Sequence, residues 1–205
     1  MQVKNPQWLH IDDAGGMLYG YDQDWFATSY RRVRGCGPTA AAMLLGYLQQ
    51  RDGLELSFPG GDRKKAARSM EHAWKYFTPH FALGIYSTRL FCLGAVKLIL
   101  DNALPMRVKC LSIPLRKSCR PSPRKAAAFI KRGLADDCPV AFLNLQKGAC
   151  RQLNGWHWTI IMGLEERRGK DFILIYDNGE QKTCVLADWL ETSLLGGGFV
   201  WLGNV

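Results

Sequence analysis

No apolar run in this sequence approaches the roughly eighteen residues that a helix needs to cross a bilayer, so no membrane span is expected. None of the seven cysteines forms a CxxC pair, which argues against a zinc ribbon or a dithiol redox motif. The chain also lacks a phosphate-cradling GxxxxGK[ST] loop, an aromatic RNA-binding strand and a CxxC…HxxxH finger. Nucleic-acid binding, a cofactor and a metal are therefore not expected. The opening MQVKNPQWLH lacks the basic-then-apolar layout of a secretory signal. The expected location is cytoplasmic, with secretion left open for a trimmed N-terminus. Seven cysteines cannot all pair. Six of them are expected to be free, mostly buried thiols that behave as small apolar residues.

Acidic residues are missing from one long stretch. Between Pro105 and Ala135 there are nine Lys or Arg, among them Arg116, Lys117, Arg120, Arg124 and Lys125, and no Asp or Glu. This is where much of the net charge of +9 resides. Such a run reads first as a solvated basic face. Its functional reading is a site for an acidic partner.

What is present is a foldable chain. Forty-seven per cent of the 205 residues are apolar and seven are Trp, which excludes a mostly disordered polypeptide. The length suits one domain over 1–205. Residues 1–35 have no long period and read as an extended leading segment. Residues 36–104 read as helical: CGPTAAAMLLGYLQQ from Cys36, a second helix over about 62–77 and a third over 88–103.

Residues 105–205 read mainly as strands. MRVKCLSI comes first, then a helix capped by Ser122. CPVAFLNL, WHWTIIMGLEE, DFILIYDN, KTCVLAD and GFVWLG follow, separated by turns such as Asn178-Gly179. Helices first and strands last predict an α+β fold, a helical half packed on an antiparallel sheet.

The candidate chemistry falls where the halves meet. A cysteine that opens a helix has its thiolate favoured by the helix dipole. Cys36 is flanked by Gly35 and Gly37, which leaves its sulfur approachable, and Arg31, Arg32 and Arg34 are expected to add positive potential. A thiol nucleophile needs a proton partner. Of the four histidines (10, 72, 80 and 157), His157 lies in a strand pattern, GWHWTIIMG, with the small Gly155 beside it.

These segments resemble papain-like cysteine peptidases, in particular the bacterial branch similar to bacteriocin-leader peptidases. GCGPTAAAMLLGYL resembles the nucleophile helix of that group, and HWTIIMG its histidine strand. FILIYDN resembles the following strand, whose end carries the Asp or Asn of the triad. The resemblance covers about 20–45 and 122–180, in the order Cys, His, Asp/Asn. It implies a papain-like fold and hydrolysis of a peptide or related amide bond through an acyl-thioester, with Cys36 as nucleophile, His157 as base and Asp177 as the group orienting it. Asn178 is the alternative third member.

One position departs from the pattern. The glutamine that usually precedes the cysteine by about six residues is replaced by Tyr30, and Gln23 is the substitute oxyanion donor. Acyl or peptidyl transfer on the same residues, and a non-catalytic binding module using the basic face, are the alternative functions.

Overall fold

Small and apolar side chains occupy every face of residues 37–48, and a helix that is apolar all round must lie inside the molecule. In the computed structural model, which describes residues 1–13 and 15–204, all twelve of those residues are buried. They form most of the central helix. The described elements are, in chain order, β1 (His10–Asp13), β2 (Gly16–Tyr19), α1 (Ser29–Arg34), α2 (Cys36–Asp52), α3 (Arg63–Trp74), α4 (Thr88–Asp101) and β3 (Met106–Ile113). After them come α5 (Pro123–Ala135), β4 (Val140–Asn144), β5 (His157–Arg167), β6 (Lys170–Asp177), β7 (Glu180–Val185), α6 (Leu186–Thr192) and β8 (Gly197–Asn204).

The fold is α+β. Strands β3 to β8 make one antiparallel sheet in the order β3-β8-β4-β5-β6-β7, and β1 and β2 form a separate hairpin. The helix α2 packs on β4 and β5, α3 packs on α2, and α4 covers β3 and β8. Local chemistry sets the helix starts. Thr28, Asp62, Ser87 and Ser122 each accept a backbone N–H of the helix that follows, which satisfies one of the donors a helix leaves free at its start. In the sheet, β4 is buried at all five positions and β5 at its first eight. This accounts for their near-continuous apolar runs.

Three expectations need correction. The leading segment is structured. It contains the β1–β2 hairpin and α1, which is too short for a helical period to be legible. Val3 N–H donates to Met162 O (3.0 Å) and Lys4 N–H to Asp137 Oδ1 (2.7 Å), tying the segment to the sheet and to the end of α5. The strand expected to run through Leu186-Ala187-Asp188 stops at Val185. Leu186, Trp189 and Leu190 recur at helical spacing and are the buried residues of α6.

The thiols are the third correction. Cys150 and Cys184 are joined as a disulfide, with Cα atoms 6.0 Å apart. Of the five free cysteines only Cys138 is fully buried, and Cys110 and Cys119 are exposed. An odd cysteine count excludes complete pairing but not one bridge, and 34 residues separate this pair in sequence.

Part of the basic run is structural. The guanidinium of Arg120 donates to the carbonyls of Pro114 (2.8 Å), Leu190 (2.7 Å) and Ser193 (2.8 Å), clamping the chain after β3 to the end of α6. Lys117 donates to Glu191 O (2.8 Å), and Lys131 pairs with Asp171 (3.2 Å). Among the described residues no helix is long and apolar enough to cross a membrane.

Candidate active site

Cys36 is the first residue of α2 and is half-buried. The short helix α1 delivers it there, with Gly35 as the joint between the two helices. A side chain at Gly35 would strike the Phe26 ring and the Arg31 carbonyl, and one at Gly37 would meet Ile85 Cδ1 at 2.6 Å. The glycines on both sides of the sulfur are thus demanded by packing as well as by access. At the first turn of a helix the backbone N–H groups lack intrahelical acceptors; here Pro38 has none and Thr39 N–H donates to Gly35 O (2.9 Å), which leaves those of Cys36 and Gly37 beside the sulfur.

His157 opens β5 and Asp177 closes β6. These strands are antiparallel neighbours with Ile160 opposite Tyr176. Asp177 comes one step later, diagonal to His157, within the reach of a cross-strand pair. His157 Nε2 lies 2.6 Å from Asp177 Oδ1, with His157 only 7 % and Asp177 2 % exposed. Cys36 lies close enough to His157 for its hydrogen bonding and charge to raise the His157 pKa, and Nδ1 is the ring nitrogen that Asp177 does not use. One imidazole therefore interacts with both the residue that starts α2 and the residue that ends β6.

The electrostatics follow from this arrangement. Burial works to lower the His157 pKa, but the hydrogen bonds and charges of Asp177 and Cys36 outweigh it and raise it to about 10. Burial works to raise the Asp177 pKa, yet contact with His157 and then Lys182 holds it below the ordinary carboxylate value. Lys182 Nζ is 2.8 Å from Asp177 Oδ2 and 3.2 Å from Glu180 Oε2. Asn178 has φ +50° and Gly179 φ +77° in the tight turn between β6 and β7, so the residue that meets His157 is Asp177.

Two tryptophans flank the histidine. Trp156 Nε1 donates to Leu83 O (2.9 Å) and Trp158 Nε1 to Ile85 O (2.6 Å). They fasten the 83–85 loop beside α2. A small cavity of about 50 Å³ opens there, lined by Cys36, Val33, Arg34, Leu83, Ile85 and Trp156. Polar and apolar surface share its walls about equally, and Val33 and Trp156 are exposed there.

The remaining sequence candidates divide. Gln23 lies in a 3₁₀ turn, Gln23–Trp25, capped by Asp22. Its Oε1 is buried and has no hydrogen-bond partner among the described residues. The turn is near the site: the Asp22 carboxyl, raised chiefly by burial, also feels the charge of Asp177. Tyr30, at the usual glutamine position, points instead to Trp74, with ring centroids 6.2 Å apart.

The three arginines expected to bias the thiol have partners of their own. Arg31 pairs with Glu71, Arg32 donates to Phe26 O (2.8 Å) and Arg34 to Phe81 O (3.3 Å). Sequence reasoning missed Lys182 and the 83–85 loop. Lys182 is three residues beyond the Asn178-Gly179 pair, and such a turn folds the following strand back onto the preceding one. That was the available signal.

Among the described residues no group of three or more His, Cys, Asp and Glu is placed to hold a metal ion. No protein-family model matches the chain, and comparison with curated proteins finds no significant match.

Proposed function

We propose that this chain is a papain-like cysteine hydrolase acting on a peptide or related amide bond. The observation that carries the reading is His157, buried with Asp177 Oδ1 2.6 Å from its Nε2 and with Cys36 near enough to raise its pKa. A thiol, a base and an orienting carboxylate in that order make an activated nucleophile. The raised pKa of His157 favours an imidazolium beside the Cys36 sulfur at neutral pH.

The chemistry then runs in two halves. Cys36 sulfur attacks the substrate carbonyl, and the oxyanion that forms meets the backbone N–H groups at the start of α2, with Gln23 as side-chain donor. The tetrahedral intermediate collapses as His157 passes its proton to the leaving amine, which leaves an acyl-thioester on Cys36. A water, deprotonated by His157, attacks the thioester and releases the acid. Asp177 keeps the ring in one orientation throughout, and Lys182 keeps Asp177 ionised. Replacing water by an amine acceptor in the second half gives acyl transfer with the same groups.

A library of peptidyl acyloxymethyl ketones tests the reading, since such probes report a cysteine activated by histidine. Mass spectrometry is expected to find the adduct on Cys36 and to find it lost in His157→Ala. Absence of label at Cys36 throughout the library, or equal labelling without His157, would overturn the proposal.

A further inference from the structure

The helix α4 lies on β3, the outermost strand at one end of the sheet. Two pairs of polar side chains face each other across that contact. On α4, Thr88 and Cys92 are one turn apart and so share a face of the helix. On β3, Cys110 and Ser112 are two residues apart and share a face of the strand. Thr88 Oγ1 lies 2.6 Å from Ser112 Oγ, which fixes the register of helix on strand. One helical turn and one strand repeat further on, this register sets Cys92 opposite Cys110, close enough that each thiol shifts the pKa of the other. Cys110 Sγ is also 3.9 Å from Ser112 Oγ.

We propose that Cys92 and Cys110 form a redox-active dithiol, which small-molecule disulfides of the oxidised-glutathione type convert to a disulfide linking α4 to β3. The two thiols are unequal in a way that suits exchange. Cys110 is exposed and Cys92 half-buried. The hydrogen bond from Cys92 pulls the Cys110 thiol down to about 6 against the effect of burial, and the Thr88 and Ser112 hydroxyls help. The same contact, with burial, pushes Cys92 up. Cys110 is thus the attacking sulfur and Cys92 the resolving one.

The exchange balances. Cys110 thiolate attacks one sulfur of the small disulfide, whose S–S bond breaks and releases one thiolate. Cys92 loses its proton to that thiolate, its sulfur attacks Cys110 Sγ in the mixed disulfide, and the second small thiolate leaves. Two protein thiols are oxidised, and one external disulfide is reduced to two thiols. The other free cysteines lack this arrangement. Cys138 is fully buried and its thiol is pushed up to about 12 by burial, and Cys119 lies in the exposed turn after β3. The cross-link would also fasten the helix whose Phe91 stacks on Trp158 at 4.4 Å, next to His157.

The test uses the intact protein with its Cys150–Cys184 bridge, incubated with oxidised glutathione at pH 7 and digested without reductant. The expected result is the loss of two titratable thiols and a peptide pair joined through Cys92 and Cys110. In Cys92→Ser the mixed disulfide is expected to accumulate on Cys110, and in Cys110→Ser Cys92 is expected to stay reduced. Separate glutathione adducts on Cys92 and Cys110 with no cross-link would overturn the proposal. So would two unmodified thiols under conditions that modify Cys119.

Discussion

Lys182 Nζ lies 2.8 Å from Asp177 Oδ2, on the carboxylate oxygen that His157 does not use. Strand register makes this possible: Lys182 pairs with Ile175, two residues before Asp177 in β6, and so falls on the same face. The buried carboxylate thus has a cation on each oxygen. Lys182→Met is expected to raise the Asp177 pKa and to lower stability by about 1–3 kcal/mol. That is less than the cost of stripping one partner from a fully buried pair, because Lys182 keeps some contact with water and His157 remains. Chemical denaturation at neutral pH measures the loss, and a variant as stable as the parent would show that the ion pair contributes nothing.

The pH dependence follows from the same groups. His157 is raised from 6.5 to about 10, so its contribution to stability is full below about 6.5 and is lost as pH rises through about 10. Asp177 is lowered from 3.8, so its contribution is present above that value and is lost as pH falls through its folded pKa. Hydrolysis also needs His157 protonated to release the amine. Turnover is expected to hold through neutrality and to fall on an alkaline limb centred near 10. A limb near the ordinary histidine value of 6.5 would contradict the paired imidazolium.

Gln23 Oε1 is buried with no hydrogen-bond partner among the described residues, so removing the side chain breaks no bond to that oxygen. Gln23→Ala is expected to leave the melting temperature nearly unchanged. If its amide serves the oxyanion, turnover drops by about 10²–10³-fold, as for the loss of one such donor. Equal kcat in variant and parent would leave the work to the α2 backbone alone.

Arg120 sits in a basic stretch but spends its guanidinium on backbone carbonyls of the 114–115 and 190–194 segments. Arg120→Ala is expected to cost about 2–4 kcal/mol, since a charged donor to carbonyls contributes about 1.5–3 kcal/mol and several acceptors lose their partner together. Arg124→Ala, on the first turn of α5, is expected to cost under about 0.5 kcal/mol. Thermal melts of the two variants compare them directly, and equal losses would refute the structural role of Arg120.

Much of the architecture was legible because local signals were strong. Met106–Ile113 alternates and is bounded by prolines, and Ser122-Pro123 marks the start of α5; both elements have the bounds the sequence predicts. A helix beginning at Cys36 and a histidine at the head of a long apolar strand were also readable. Side-chain periodicity and capping act over a few residues, and a chain carries them before it folds.

Partnership across the chain was decided only by tertiary structure. Asp177 and Asn178 are adjacent in sequence, and the positive φ of the β6–β7 turn makes Asp177 the last strand residue and so the one that reaches His157. Arg31, Arg32 and Arg34 look alike in sequence, but Arg31 pairs with Glu71 and Arg32 donates to Phe26 O, while Arg34, which donates to Phe81 O, lines the cavity beside Cys36. Cys150 found Cys184, and Cys92 found Cys110, through strand order and helix packing that no spacing encodes. The sequence by itself determined which residue types are available for chemistry and most of the elements that hold them. Which of those residues touch was left to the packing, because contact depends on closing long loops around a shared core, and the energy of that closure resides in buried surface spread over the whole chain.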